Sequence, residues 1–167
     1  MNNKMILLYK ILNHNTNQIS STTKSNNIVQ WVPILSVGRT KRLIGITQEG
    51  DWGVETADGF CLFDKLDKFL YVLELLEVDF DKLNSLLICD LPEENTIYDI
   101  FPYTEVIAFA FEYEWSDYWL EFAFKWYDKL EHNKKALLRN SLANVVKNGK
   151  VSQRLRHLAK HKLNECG

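Results

Sequence analysis

Three cysteines, three prolines and seven glycines are all the cross-linking and chain-bending residues this 167-residue chain holds. Cys61, Cys89 and Cys166 lie far apart with no CxxC pair. They read as reduced thiols, which excludes both a disulfide framework and a cysteine zinc site. Gly38, Gly45, Gly50, Gly53 and Gly59 never form GxGxxG or GxxxxGK, so no phosphate-cradling loop is present. The serine-nucleophile pattern GxSxG and the zinc-protease pattern HExxH are missing too. The longest apolar run, Val106–Phe111, falls far short of the roughly 20 residues a membrane helix needs. The N-terminal stretch MNNKMILLYKILNHN has an early lysine and a short apolar patch but no small-residue cleavage site. It reads as structure rather than as a signal peptide.

What is present is ordinary in amount. With 46% hydrophobic and 25% charged residues, the chain is of globular composition and long enough to bury a core without disulfides. The expectation is one domain over 1–167, β-rich over 1–63 and helical over 64–165. The net charge of −2 conceals segregation along the chain. Residues 1–42 hold six basic side chains and no acid, and residues 132–164 hold nine Lys and Arg and no acid. Between them, residues 43–121 hold nineteen carboxylates against three lysines, a net of −16. Such a block attracts a basic partner and repels nucleic acid, although a charge run is commonly a solvated face.

Hydrophobic spacing organises the chain. Met5–Leu12 and Leu83–Cys89 are apolar runs too short to separate strand from helix. The polar tract Asn13–Asn27 predicts a mobile loop. Ile28–Val37 predicts a strand that Pro33 places at an edge or interrupts. Arg42–Thr47, Trp52–Glu55 and Phe60–Phe63, joined through Gln48–Asp51 and Ala57–Gly59, predict an antiparallel meander. Asp64 can cap a helix burying Leu66, Phe69, Leu70, Leu73 and Leu76. A helix from Asn95 or Thr96 to Phe111 must be kinked or split at Pro102.

From Ser116 the reading is helical. Trp119, Phe122, Ala123, Trp126, Tyr127 and Leu130 recur at steps of three and four, with Asp117, Glu121, Lys125 and Asp128 opposite them. Glu121 and Lys125 form a favourable i,i+4 pair in this reading. A further helix after Asn133 presents Leu138, Leu142 and Val145, and a last one after Ser152 presents Leu155, Leu158, Ala159 and Leu163. Their short connections predict antiparallel neighbours. The fold class expected is α+β: a small N-terminal antiparallel β-sheet, then a C-terminal antiparallel helical bundle.

No catalytic constellation assembles from these residues, and no cofactor or metal site is expected. His157 and His161 have the i,i+4 spacing of two metal ligands, but Arg154, Arg156, Lys160 and Lys162 surround them with cations, so a solvated basic face is the reading. Scattered Asp and Glu leave a small enzyme with a carboxylate site as an alternative. The basic C-terminal helices leave nucleic-acid binding as another, opposed by the acidic middle of the chain.

The favoured class is a protein-binding module, because acids interspersed with rings suit capture of a basic protein. Three clusters are candidate contacts: Trp52 with Glu55; Asp79 and Asp81 around Phe80; and Glu112, Glu114, Trp115 and Asp117. The segment SDYWLEFAFKWYDKL (Ser116–Leu130), with KVSQRLRHLAKHKL (Lys150–Leu163) after the next helix, resembles the C-terminal helices of small bacterial immunity proteins. These are the antidotes encoded beside polymorphic toxins and contact-dependent growth inhibition toxins. The resemblance implies a cytoplasmic, non-enzymatic inhibitor that binds one cognate basic toxin domain, often a nuclease, and occludes it. It covers about fifty residues, and no family binding residue transfers to a numbered position here.

Overall fold

The computed structural model describes residues 18–88, 100–113 and 116–165. The expectations for Met5–Leu12, Asn13–Asn17, Cys89, the capping at Asn95 or Thr96, Glu114, Trp115 and Cys166 lie outside those residues. The architecture is α+β, with an antiparallel sheet in the N-terminal half and helices after it. The chain divides into two compact units, Met1–Pro102 and Tyr103–Gly167. The helical segments that directly follow the sheet belong to the first of these units.

The sheet unit is a five-stranded meander in the order β1-β2-β3-β4-β5. Its strands are β1 (Ile19–Thr22), β2 (Ile28–Val37), β3 (Arg42–Thr47), β4 (Trp52–Thr56) and β5 (Gly59–Leu62). β1 corrects the reading of Asn13–Asn27 as a loop throughout. Ile19 to Thr22 pairs with Trp31 to Ile28, and the β-branched Ile19, Thr22, Ile28 and Val29 suit a strand pair even beside a polar tract. Pro33 does not put β2 at an edge. β2 is held between β1 and β3, and the register slips between Pro33 and Leu35, so a bulge absorbs the missing N–H.

The sheet curls until its ends meet at a parallel bridge between Thr23 and Phe60. Two glycines permit the curl. Gly45 and Gly53 are register partners on β3 and β4. A Cβ on Gly45 would strike the Trp31 ring, and one on Gly53 the Phe60 ring. Those two rings lie 4.6 Å apart, filling the concave side that the glycines leave open. On the other face Val32, Ile44, Ile46, Trp52 and Val54 are all buried.

Against β2 pack two helical segments, η1 (Leu66–Glu77) and α1 (Phe80–Ile88). η1 is a 3-10 helix, not the α-helix expected, and Lys65 rather than Asp64 occupies its cap position. Its buried set follows a three-residue turn: Phe69, Val72 and Leu75 on one line, Leu73 and Leu76 on the next. Leu66 and Leu70, expected inside, are exposed at the N-terminal ends of those two lines. Leu83–Ile88 resolves as helix, with Leu83 and Leu87 buried at an i,i+4 spacing.

The helical unit contains α2 (Tyr103–Glu112), α3 (Asp117–Lys129), α4 (His132–Leu137), α5 (Arg139–Lys147) and α6 (Gln153–Glu165). α2 begins directly after Pro102, where a missing N–H costs nothing. The helix expected from Asn133 is broken into α4 and α5 at Leu138. Leu138, Leu142 and Val145 are buried as their spacing indicates, and Leu155 and Ala159 of α6 join them. α2 packs on α3 and α5, and α6 on α3 and α5.

Among the described residues no helix is long and apolar enough to cross a membrane.

Candidate functional site

α3 has three faces where two were expected. Its buried residues are Leu120, Ala123, Phe124, Trp126 and Tyr127. At 100° per residue these span one arc of the helix, with Phe124 and Tyr127 near Phe111 of α2 at centroid distances of 5.0 and 6.4 Å. Trp119 and Phe122, assigned to the buried stripe by spacing, are only partly covered.

The second face is acidic and is used inside the fold. The Asp117 carboxylate accepts the Ser152 amide at 3.2 Å. Glu121 pairs with Arg154, and Asp128 with Lys162 at 2.6 Å. These contacts advance along α3 and α6 together, so the two helices run in the same direction, as alternate members of an up-down arrangement do. The i,i+4 pair of Glu121 with Lys125 therefore gives way to a longer-range one. The Asp128 hydrogen bond raises the pKa of the Lys162 ammonium, whose side chain is 16% exposed, above the usual lysine range. His161 Nδ1 lies 3.0 Å from the Glu165 carboxylate on the same helix.

The third face carries rings and lysines. Tyr118, 52% exposed, meets the Trp119 ring edge-on at 4.9 Å and the Phe122 ring at 5.1 Å. Lys125 places its ammonium 4.9 Å above the Phe122 centroid, and the exposed Lys129 continues the line one turn on. The signal for this ridge was in the sequence: with six rings among ten residues, α3 has aromatics over more of its circumference than one buried arc can take.

The candidate contacts separate on inspection. Trp52 is a correction: it is 7% exposed and packs edge-on against Phe101 at 5.1 Å, so it is core and not a surface anchor. Alternation explains it, since Trp52 shares a face with Val54 and lies opposite Ile46. Its indole N–H is buried without a hydrogen-bond partner. Glu55 is half-buried and opposite Phe60, on the concave side of the sheet.

Asp79 is exposed and caps α1, its Oδ1 accepting the Lys82 amide at 3.0 Å. Asp81 is exposed in the first turn of α1, and Phe80 between the two acids is buried. Glu112 ends α2 half-buried and accepts the Ser141 hydroxyl at 3.1 Å. Glu112 and Asp117 are thus both engaged inside the helical unit, and Glu114 and Trp115 lie outside the described residues.

Folding also redistributes the charge blocks. The sheet unit holds fourteen acids against nine bases, a net of −5, and the helical unit eight against eleven, a net of +3. In the sheet unit Glu77, Asp79 and Asp81 stand exposed within five residues at the corner joining η1 to α1. Exposed leucines lie in the same segments: Leu66, Leu70 and Leu86. Among the described residues no group of three His, Cys, Asp or Glu is placed to hold a metal ion. Burial pushes the half-buried Cys61 thiol above its usual range, the reverse of an activated nucleophile.

No protein-family model, no curated protein and no solved structure matches this chain.

Proposed function

We propose that this protein is a stoichiometric inhibitor, an immunity protein that binds a cognate basic toxin domain of nuclease type in the cytoplasm and occludes it. The observation that carries the reading is the acidic corner of the sheet unit, where Glu77, Asp79 and Asp81 are exposed within five residues at the join of η1 and α1. Carboxylates stand in for the phosphates that a nuclease cleft attracts and steer the encounter. Asp79 and Asp81 rather than the Glu112–Asp117 segment carry this reading, because Glu112 and Asp117 already accept hydrogen bonds from Ser141 and Ser152.

The test is a pull-down from the native bacterium with the tagged full chain, washed at low and at high salt. The expected result is capture of one basic protein in equimolar amount, held less tightly in salt. Its nuclease activity should fall to zero at one equivalent of inhibitor. Glu77→Gln, Asp79→Asn and Asp81→Asn combined should slow association by about tenfold or more by removing the steering field. Unchanged affinity and unchanged salt dependence would remove the corner from the interface.

A second reading has its own observation. The Tyr118–Trp119–Phe122 ridge with Lys125 and Lys129 belongs to a unit of net +3, a combination that single-stranded nucleic acid uses for stacking and phosphate contact. Salt-sensitive retention on a single-stranded DNA column, abolished by Tyr118→Ala with Phe122→Ala, would favour it over the inhibitor.

A further inference from the structure

In the helical unit α2 and α5 end at a common open cleft of about 580 Å3, lined by Glu112, Asn144, Lys147, Asn148 and Gly149. That volume lies within the range of small-molecule sites, roughly 300 to 1,000 Å3. Among the described residues its lining holds one carboxylate, Glu112, and one ammonium, Lys147. Glu112 takes the hydroxyl of the buried Ser141 as its partner rather than Lys147, so the carboxylate and the ammonium share a cleft without neutralising each other.

Helix geometry sharpens the polarity. Glu112 is the last residue of α2, where the carbonyl end of the helix adds negative potential to its own carboxylate and favours a cation. α2 has no basic side chain in its last turn to offset this. Lys147, in the last turn of α5, is exposed and supplies the opposite charge. Ser141 and Asn144 lie one turn apart on α5, which aligns the Glu112–Ser141 contact with an amide able both to donate and to accept. Asn148 also lines the cleft, and its Oδ1 accepts the Lys150 amide. Open space lies where a Gly149 side chain would be.

We propose that this cleft binds a small zwitterion of the size of a free α-amino acid, its ammonium on Glu112 and its carboxylate on Lys147, with the Asn144 amide beside them. This site is separate from the acidic corner of the sheet unit and does not depend on the inhibitor reading. A ligand carrying one charge meets one of the two charged groups described there, and a ligand carrying both meets each of them.

The test is an amide-detected NMR titration of the full-length 15N-labelled protein with L-alanine, ethylamine and propionate in separate series. The expected result is saturable shifts from L-alanine at the amides of Glu112, Ser141, Asn144 and Lys147 to Gly149, with Kd near 1 mM, about −4 kcal/mol. Ethylamine and propionate should each bind at least about tenfold more weakly, the loss of one charge-assisted contact. Glu112→Gln keeps an acceptor for Ser141, and it should weaken L-alanine about tenfold while leaving amides outside the cleft unmoved; Lys147→Met should do the same. Absence of saturation with L-alanine, or equal binding of ethylamine, would overturn the proposal without recourse to any variant.

Discussion

In the helical unit the carboxylates of α3 reach across to α6, Asp117 to the Ser152 amide, Glu121 to Arg154 and Asp128 to Lys162. In the sheet unit Asp79 caps its own helix through the Lys82 amide, the exposed Glu77 and Asp81 flank it in sequence, and the core is filled by rings over glycines. The contrast teaches that carboxylate density along a chain says little about a surface until the fold has placed each acid. The basic, acidic and basic blocks of the chain are divided into one unit of net −5 and another of net +3, and the ring-rich end of the acidic block is the part whose described acids reach across to other helices.

The largest effect that would sharpen this comparison is in the sheet core. Trp31→Ala empties the concave side between Gly45, Gly53 and Phe60, and should cost about 3 to 5 kcal/mol in urea or thermal unfolding. Asp117→Ala tests the helical unit in the same assay. It leaves the Ser152 amide without its acceptor and should cost about 1 to 3 kcal/mol. A loss under about 0.5 kcal/mol would make Asp117 a surface acid after all, as its place in the chain first indicated.

Within the acidic corner, Asp79→Ala removes the cap of α1 and should cost about 1 kcal/mol, whereas Asp81→Asn should stay within about 0.5 kcal/mol. The pair separates stability from binding, because both should weaken capture of a basic partner and only the first should lower stability. Equal stability losses would mean that both acids are structural and that the corner displays nothing.

The smallest effect is in alkali. The Lys162 ammonium is held by Asp128, so its folded pKa is raised, and its contribution is complete below about pH 10.4 and is lost as pH climbs through the folded value. Asp128→Asn should flatten that alkaline loss in a denaturation series between pH 9 and pH 11, roughly the window around the free lysine value. An unchanged slope would mean that the pair adds nothing to joining α3 and α6.

Much of the fold was legible in local signals. Alternation and turn residues placed β2, β3, β4 and β5 within a residue or so, and apolar spacing found α3, α5 and α6, because burying one side of a strand or helix imposes its period on the chain. Leu138, Leu142, Val145, Leu155 and Ala159 were legible as core for that reason. β1 was not, because its pairing to β2 is an interaction between two segments and its composition reads as a polar tract. The 3-10 winding of η1 was hidden as well, since Leu66, Phe69, Leu70, Leu73 and Leu76 fit an α-helical stripe and only the packing against β2 selects the tighter one.

The site divided in the same way. Residue types alone determined that this is a carboxylate-rich, ring-rich chain without the common catalytic motifs. Tertiary structure decided which of those groups meet water: it buried Trp52 against Phe101, gave Asp117 to Ser152 and Glu112 to Ser141, and turned Tyr118 outward on a helix expected to bury its rings. The physical reason is that burial and hydrogen-bond partnership are properties of pairs distant in sequence, and a periodicity records only which side of its own element each residue occupies.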